Sequence, residues 1–549
     1  MSVVVGAPGR HVPGAGPSSP DERPPGVSGA LCLRRAAVLG DDPLAGDPGS
    51  ARTCAIAVVR GRVAAIGTEA EARAAAGPDA LVIDCEGATV VPGFIDAHVH
   101  LLALARSFVD VDVSRDRVDS IDALRGAIAV RRQEEPHAAW VRAYGYDEFY
   151  LRERRHPTRF DLDVAVSDRP VRVRHRTRHA SVLNSAGLAW VAERAPEMLR
   201  APGVERGADG EPTGVLYDLD AVLTRLLPAE CAADLRGGLR RASARFLRAG
   251  VIAVDDASPG TGTAEASLLR AAVADGLIQQ HVRLLWGIRQ HGLPTDPLVT
   301  GVKLMVGEGG GPDPDFLEAL DAAHRAGLQV AVHAVEGGAI AVALEAFESV
   351  LRRWPRPHRH RLEHCALCPP PLVERIAALG LSVVAQPGLL RHVGDRYAVE
   401  VPSEQQAWLQ PLRSLVGHGV CVAGSSDAPV GPVEPLIGIG AAVHRRARNG
   451  TPLAPGESLP LAAALGLYTK GAARVSLAEP AAGTVAVGAP AELLLLSDAL
   501  GSAPVDRIED LRVRLVVSGG RCVAVDSGGE SGLGSALGSD GEGEIRAIA

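Results

Sequence analysis

The stretch Val90-Val-Pro-Gly-Phe-Ile-Asp-Ala-His98-Val-His100 is an apolar run closed by two histidines two residues apart. Alternation along a β-strand puts residues i and i+2 on one face, so both imidazoles stand side by side at the strand's end and can share one metal ion. A lone His-x-His also occurs as ordinary polar or surface residues, so the pair acquires meaning only from what stands elsewhere in the chain.

Downstream of it, apolar strand-like runs alternate with Ala/Leu/Arg-rich helical stretches, the pattern of repeated βα units. Candidate strands end near His100, Asp256, Gly287, Val306, His333, His364, Gln386 and Asp427, which makes eight. Eight is the number that closes a barrel, so the fold class is α/β, a (β/α)8 TIM-like barrel over residues 91–479. The spacing agrees: 303 to 333 is 30 residues, 333 to 364 is 31, and 364 to 427 is 63, two units with the Gln386 strand between them. A βαβ repeat of about 30 residues fits these intervals. The gap from His100 to Asp256 is too long for one unit and predicts an insertion at about 105–220, overhanging the strand C-termini where barrel enzymes keep their sites.

Short β-rich runs with Gly-containing turns at 30–90 are matched by similar runs at 480–526, which predicts a small composite β-sandwich built from both chain ends. Residues 1–29 (Pro, Gly, Ser) and 527–549 (largely Gly, Ser and acids) are too polar to bury a core and are expected as disordered tails.

Composition narrows the function classes. Of 549 residues 46% are hydrophobic but only 3% aromatic, so the core is built from Ala, Val, Leu and Ile, which suits buried parallel strands. A net charge of -8 and the absence of a basic stripe argue against nucleic acid as a partner. No apolar run approaches the roughly 20 residues that span a bilayer, and the first residues lack a signal-type apolar core, so no membrane partner and a cytoplasmic location are expected. The eight cysteines are scattered rather than framed as in small secreted domains, so reduced thiols are expected. A homodimer is left open.

Of 57 basic residues only Lys303 and Lys470 are lysine, which leaves 57 − 2 = 55 arginines. Lys303, in Gly301-Val-Lys-Leu-Met-Val306, falls at the fourth strand. A buried ammonium is costly and Lys, unlike Arg, readily loses its proton, after which the amine can take up carbon dioxide as a carbamate able to bridge two cations. A buried stem with a snorkelling head is the other reading. Val330-Ala-Val-His333 and Arg361-Leu-Glu-His364 each end a strand in histidine, and Val420-Cys-Val-Ala-Gly-Ser-Ser-Asp427 ends one in a carboxylate. Imidazole nitrogen and carboxylate oxygen are the donors that catalytic zinc favours, and the ends of barrel strands share one mouth.

Taken in order, His98-x-His100, Lys303, His333, His364 and Asp427 resemble the binuclear pattern of the amidohydrolase superfamily. Val91-Pro-Gly-Phe-Ile-Asp-Ala-His98, Asp209-Gly-Glu-Pro-Thr-Gly-Val215, Gly250-Val-Ile-Ala-Val-Asp-Asp-Ala257, Val384-Ala-Gln-Pro387 and Ser425-Ser-Asp-Ala-Pro-Val430 resemble, more narrowly, its amidohydrolase-3 branch, which includes N-substituted formamide deformylase-like enzymes. The resemblance implies that His98, His100 and Asp427 hold one divalent ion, that His333 and His364 hold a second, zinc in both cases, and that a carboxylated Lys303 bridges them. It implies a metal-dependent hydrolase that cleaves a non-peptide C–N bond of a small molecule, a formamide or a linear or cyclic amide. The attacking species is a metal-activated hydroxide, with Asp427 as general base and then general acid. An ester or lactone hydrolase, or a catalytically silent metal-binding scaffold, would keep the same ligands.

His179 and Asn184, in Arg178-His-Ala-Ser-Val-Leu-Asn184, resemble a His and Asn motif of the branch's insertion and are candidate substrate contacts, with local turns and caps as the alternative. Arg361 and Gln386 are candidates to touch substrate or to brace the barrel mouth. Cys365-Ala-Leu-Cys368 has CxxC spacing but no second ligand pair nearby, which favours a loop with two thiols. The Gly-rich 307–311 lacks a phosphate-loop Lys and reads as a βα loop. The chain departs from the branch pattern at Thr177-Arg178, Gly307-Glu308 and Val335-Glu-Gly-Gly338, which points to a different substrate at a retained hydrolytic centre.

Overall fold

The structure is a computed structural model that describes residues 29–38, 52–228, 231–287, 294, 296–306, 315–478, 481–500, 505–524 and 546–547. The segments expected as tails lie outside these, except residue 29 and Arg546–Ala547, which pair as a two-residue strand with Arg521–Ala524. The Gly-rich 307–311 also lies outside.

Eight parallel strands form the barrel: β1 (Phe94–Val99), β2 (Val251–Asp256), β3 (His281–Gly287), β4 (Val299–Met305), β5 (Gln329–Glu336), β6 (Arg361–Leu367), β7 (Ser382–Ala385) and β8 (Val422–Gly424). They follow one another in sheet order, and β8 returns to β1 through the parallel bridge Val99–Ala428. Two backbone hydrogen bonds stitch that closure, Asp427 N to His98 O and His100 N to Ala428 O, each 2.9 Å. The (β/α)8 expectation therefore holds. Every residue of β1 and of β2 is buried, as parallel strands covered by helices require.

The opening sequence stretch crosses between two sheets. Thr89–Pro92 pairs with Leu493–Leu496 and with Leu31–Val38 in a nine-stranded sheet drawn from both chain ends, and from Phe94 onward the same segment is barrel. Gly93 sits at the junction, where a Cβ would lie 2.6 Å from the Ile252 side chain, so β1 can leave one sheet and join the other only without a side chain there. The end-derived strands are hydrogen-bonded into one nine-stranded sheet. Its apolar face packs on its own cluster, including Leu33, Ile56, Leu493 and Leu515.

Between β1 and β2 stands a six-stranded mixed sheet running from Val111 to Tyr217 in the chain, with its own core of residues such as Val113, Ile128 and Val173. Its Tyr144 hydroxyl donates toward the Pro429 carbonyl, just past the Asp427 end of β8, which fixes this insertion beside the barrel mouth. No helix among the described residues is long and apolar enough to cross a membrane.

Candidate metal centre

His98, His100 and Asp427 converge: their ligand atoms lie within 4.8 Å of one another. Asp427 Oδ1 faces Nε2 of His100 at 3.1 Å and Nε2 of His98 at 3.6 Å. The His98 ring stands 4.9 Å from that of His364, which is 4.5 Å from that of His333, so the four imidazoles form one continuous patch. A register shift in the β1–β2 pairing between Asp96 and Val99 re-phases the end of β1 as it delivers His98.

The backbone is bent to make this possible. His364 and Asp427 both have positive φ, 78° and 55°, a left-handed conformation unfavourable for residues with a Cβ. At His364 the turn brings Glu363 and His364, neighbours in sequence, to the same centre. Strain of this kind persists where the surrounding structure over-determines it, which is typical of functional sites.

Three of the imidazoles are oriented the same way. Nδ1 of His98 is bonded to Glu363, Nδ1 of His100 to Ser258 Oγ at 3.1 Å, and Nδ1 of His364 to Gln386 Oε1 at 2.8 Å. Each Nε2 is thereby left for the centre, the arrangement that fixes tautomer and ring direction in metal-binding histidines. Burial pushes His98, His333 and His364 below the ordinary imidazole range, so they stay neutral, as ligation requires. Burial would raise the Asp427 carboxyl, but its hydrogen bond to His100 and the surrounding imidazoles outweigh that and hold it well below the usual carboxylate range.

Lys303, 1% exposed on β4, has no hydrogen-bond partner for Nζ. Burial lowers its ammonium to about 8, against the pull of Glu363. An orphaned, readily deprotonated amine at a ring of neutral imidazoles and a carboxylate is a donor set that fits divalent cations.

Of the remaining candidates three are buried and one, His179, is exposed. Arg361 is fully buried, with its guanidinium on Asp255 (3.0 Å), the Ala97 carbonyl (3.1 Å) and Glu363 (2.7 Å), so it braces the ligand layer. Gln386 is 2% exposed, and its amide is used up by His364, Ser425 Oγ (3.0 Å) and the Val384 carbonyl (3.2 Å). Asn184 is buried within the insertion as the N-cap of Ser185–Arg194. It accepts from the Gly187 and Val171 amides and donates to the Val166 and Arg169 carbonyls, which exhausts it. In this structure the three side chains are turned to protein partners: Asn184 caps its helix, and Arg361 and Gln386 brace the barrel mouth. His179 differs; it is exposed and paired with Asp218 at 2.8 Å. Cys365 and Cys368 are buried free thiols, Cys368 pushed up to about 12 by burial, and no metal-holding group among the described residues includes them.

Sequence reasoning missed Glu363. Its signal was available: Arg361 and Glu363 alternate on a strand that is otherwise apolar, so both charges face the barrel interior, where charges must pair. Glu363→Gln keeps the shape but weakens the pull on His98 Nδ1–H. We expect metal affinity, measured by competition with a chelating dye, to fall about 10- to 100-fold. Unchanged affinity would reduce Glu363 to a partner of Arg361.

A second group, Asp147, Glu148 and His175, also lies within ligand distance. Arg396 holds both carboxylates, at 2.6 and 3.0 Å, and Arg176 takes Asp147 at 2.5 Å. The charges are already met, and the group clamps the insertion to the helix Pro387–Glu400.

The comparisons with known proteins agree with this geometry. The model described as "Amidohydrolase family" matches residues 81–524. The chain belongs to the amidohydrolase family. N-substituted formamide deformylase of Arthrobacter pascens is 30% identical over 485 residues, covering 80% of this chain and 89% of that protein. A metal-dependent hydrolase of Pyrococcus furiosus superposes with a TM-score of 0.62 at 25% identity, over 84% of this chain and 98% of that one. Another, from Pyrococcus horikoshii, gives 0.65 at 22% identity over 87% and 99%, a likeness of fold. This amidohydrolase is thus an enzyme of the class that hydrolyses carbon–nitrogen bonds, and its fold is that of metal-dependent members.

Proposed function

We propose that this amidohydrolase cleaves a non-peptide C–N bond in a small molecule, a formamide or a linear or cyclic amide, at a centre for two divalent ions, zinc foremost. The observation that carries the reading is the convergence of His98, His100 and Asp427 with Lys303 Nζ buried and unpartnered in the same barrel. His98, His100 and Asp427 would hold one ion, His333 and His364 the other, and Lys303, as its carbamate, would bridge them. Bound ions of this kind lower the pKa of water toward neutrality and polarise a carbonyl.

The chain's own residues do the rest. Asp427, held ionised, accepts the proton of the attacking water and returns it to the departing nitrogen, which must leave as an amine rather than an amide anion. Glu363, Ser258 and Gln386 keep the imidazoles aimed. The formamide activity named for the Arthrobacter pascens relative supports that substrate class. The departures at Thr177-Arg178 and Val335-Glu-Gly-Gly338 support a different side group on the substrate.

Protein purified after growth with zinc is expected to carry the metal by elemental analysis and to hydrolyse members of an N-substituted formamide and amide panel. Turnover confined to esters or lactones would reassign the bond. A chain that binds no divalent metal and turns over neither panel would overturn the reading.

A further inference from the structure

A cavity of about 620 Å³ lies where the insertion meets the barrel wall, outside the centre described above. Six arginines line it: Arg142, Arg172, Arg174 and Arg225 from the insertion and the helix that follows it, Arg106 and Arg236 from helices of the barrel. Among the described residues its lining contains no Asp or Glu, and the rest is largely leucine and alanine. The cavity is large enough for a small organic molecule.

Arginine is the chain's dominant cation, so arginines on a surface need no explanation. Burial of two neighbours does. Arg172 and Arg174 occupy alternate positions of the strand Val171–His175 and are 2% and 6% exposed. Both reach Asp220, as does Arg178 at 3.8 Å, so three guanidiniums share one carboxylate. They also share a neutral acceptor, Thr224 Oγ1, at 3.3 Å from Arg172 and 3.2 Å from Arg174. Burial and the adjacent Arg174 lower the Arg172 guanidinium to about 9. Asp110 also acts on Arg172, and Asp275 pairs with Arg236 at 2.9 Å, but three guanidiniums on the single Asp220 carboxylate keep the buried cluster net positive, which favours a further anion. The planar fork of arginine suits phosphate and carboxylate, which it binds with paired hydrogen bonds.

We propose that this pocket binds a small anion carrying two or more phosphate or carboxylate groups, and that the ligand ties the insertion to the barrel wall. The guanidiniums come from both sides of the seam, so a multivalent anion can bridge them, with its carbon framework against the leucines.

Isothermal titration of the full chain at fixed ionic strength, with fructose bisphosphate in one series and tricarballylate in another, tests this. One saturable site is expected for at least one probe; the probe that binds names phosphate or carboxylate as the class. Arg225 and Arg236 are exposed helix residues outside the metal centre, so Arg225→Glu and Arg236→Glu should fold, as circular dichroism would verify. Each is expected to weaken binding by about tenfold or more, since charge-assisted pairs become repulsive ones. Arg172→Met, which removes the most buried charge, should also weaken it. Absence of saturable binding for both probes, or binding that survives both charge reversals, overturns the proposal.

Discussion

Asp427→Asn is expected to lower turnover by about a thousandfold or more while leaving the fold intact, because general acid–base transfer by a placed side chain is worth about 10²- to 10⁴-fold and a ligand's charge is lost with it. Asn is the replacement of choice for a structural reason. The residue sits at φ 55°, and among residues with a Cβ, Asn and Asp tolerate the left-handed region best, so the change removes a charge without disturbing the backbone that closes β8 on β1. The amide keeps an oxygen to face His98 and His100 but can no longer take a proton. Because His100 and the neighbouring imidazoles hold the carboxyl far below neutrality, Asp427 is ionised throughout the neutral range. The wild-type rate should therefore not fall through protonation of this residue at mildly acidic pH. Metal content measured on the same preparation separates the two roles: metal retained with turnover lost assigns proton transfer, and metal lost assigns ligation. Unchanged turnover would remove Asp427 from the mechanism.

How far the sequence could be read depends on what each residue's role rests on. The barrel strands were legible because parallel strands buried on both faces are continuous apolar runs at a regular spacing, and β1 and β2 are buried throughout. The convergence of His98, His100 and Asp427 followed from the rule that strand ends share one mouth. Arg361 and Gln386 were not legible in the same way. Their polar groups are consumed by partners distant in sequence, such as Arg361 by Asp255 and Ala97, and no local pattern reveals whether a strand-end polar group points at substrate or at a neighbouring ligand. The positive φ of His364, which lets Glu363 and His364 serve one centre, likewise leaves no trace in alternation, since it breaks it. The arginine pocket was hidden for a different reason: in a chain with 55 arginines only burial distinguishes the two that matter most.

Lys303→Ala is expected to reduce turnover by about a thousandfold, with partial recovery on adding acetate or propionate. Lys303 is buried and its Nζ has no hydrogen-bond partner, although the Glu363 and Asp427 carboxylates favour its charge. Burial brings the amine to about 8, where a useful fraction is neutral and able to add carbon dioxide, and a carbamate formed there would place an anion among the imidazoles. Truncation leaves a cavity the shape of the lost side chain, and a short carboxylic acid can place its carboxylate where the carbamate would stand. Lys303→Met is the control: it fills the volume with no donor, so activity should be equally low and no acid should restore it. Native mass spectrometry of the wild type should show one carbon dioxide per chain, lost on acidification and absent from both variants. An unmodified lysine together with full turnover in Lys303→Ala would leave the amidohydrolase with a single-ion centre built on His98, His100 and Asp427.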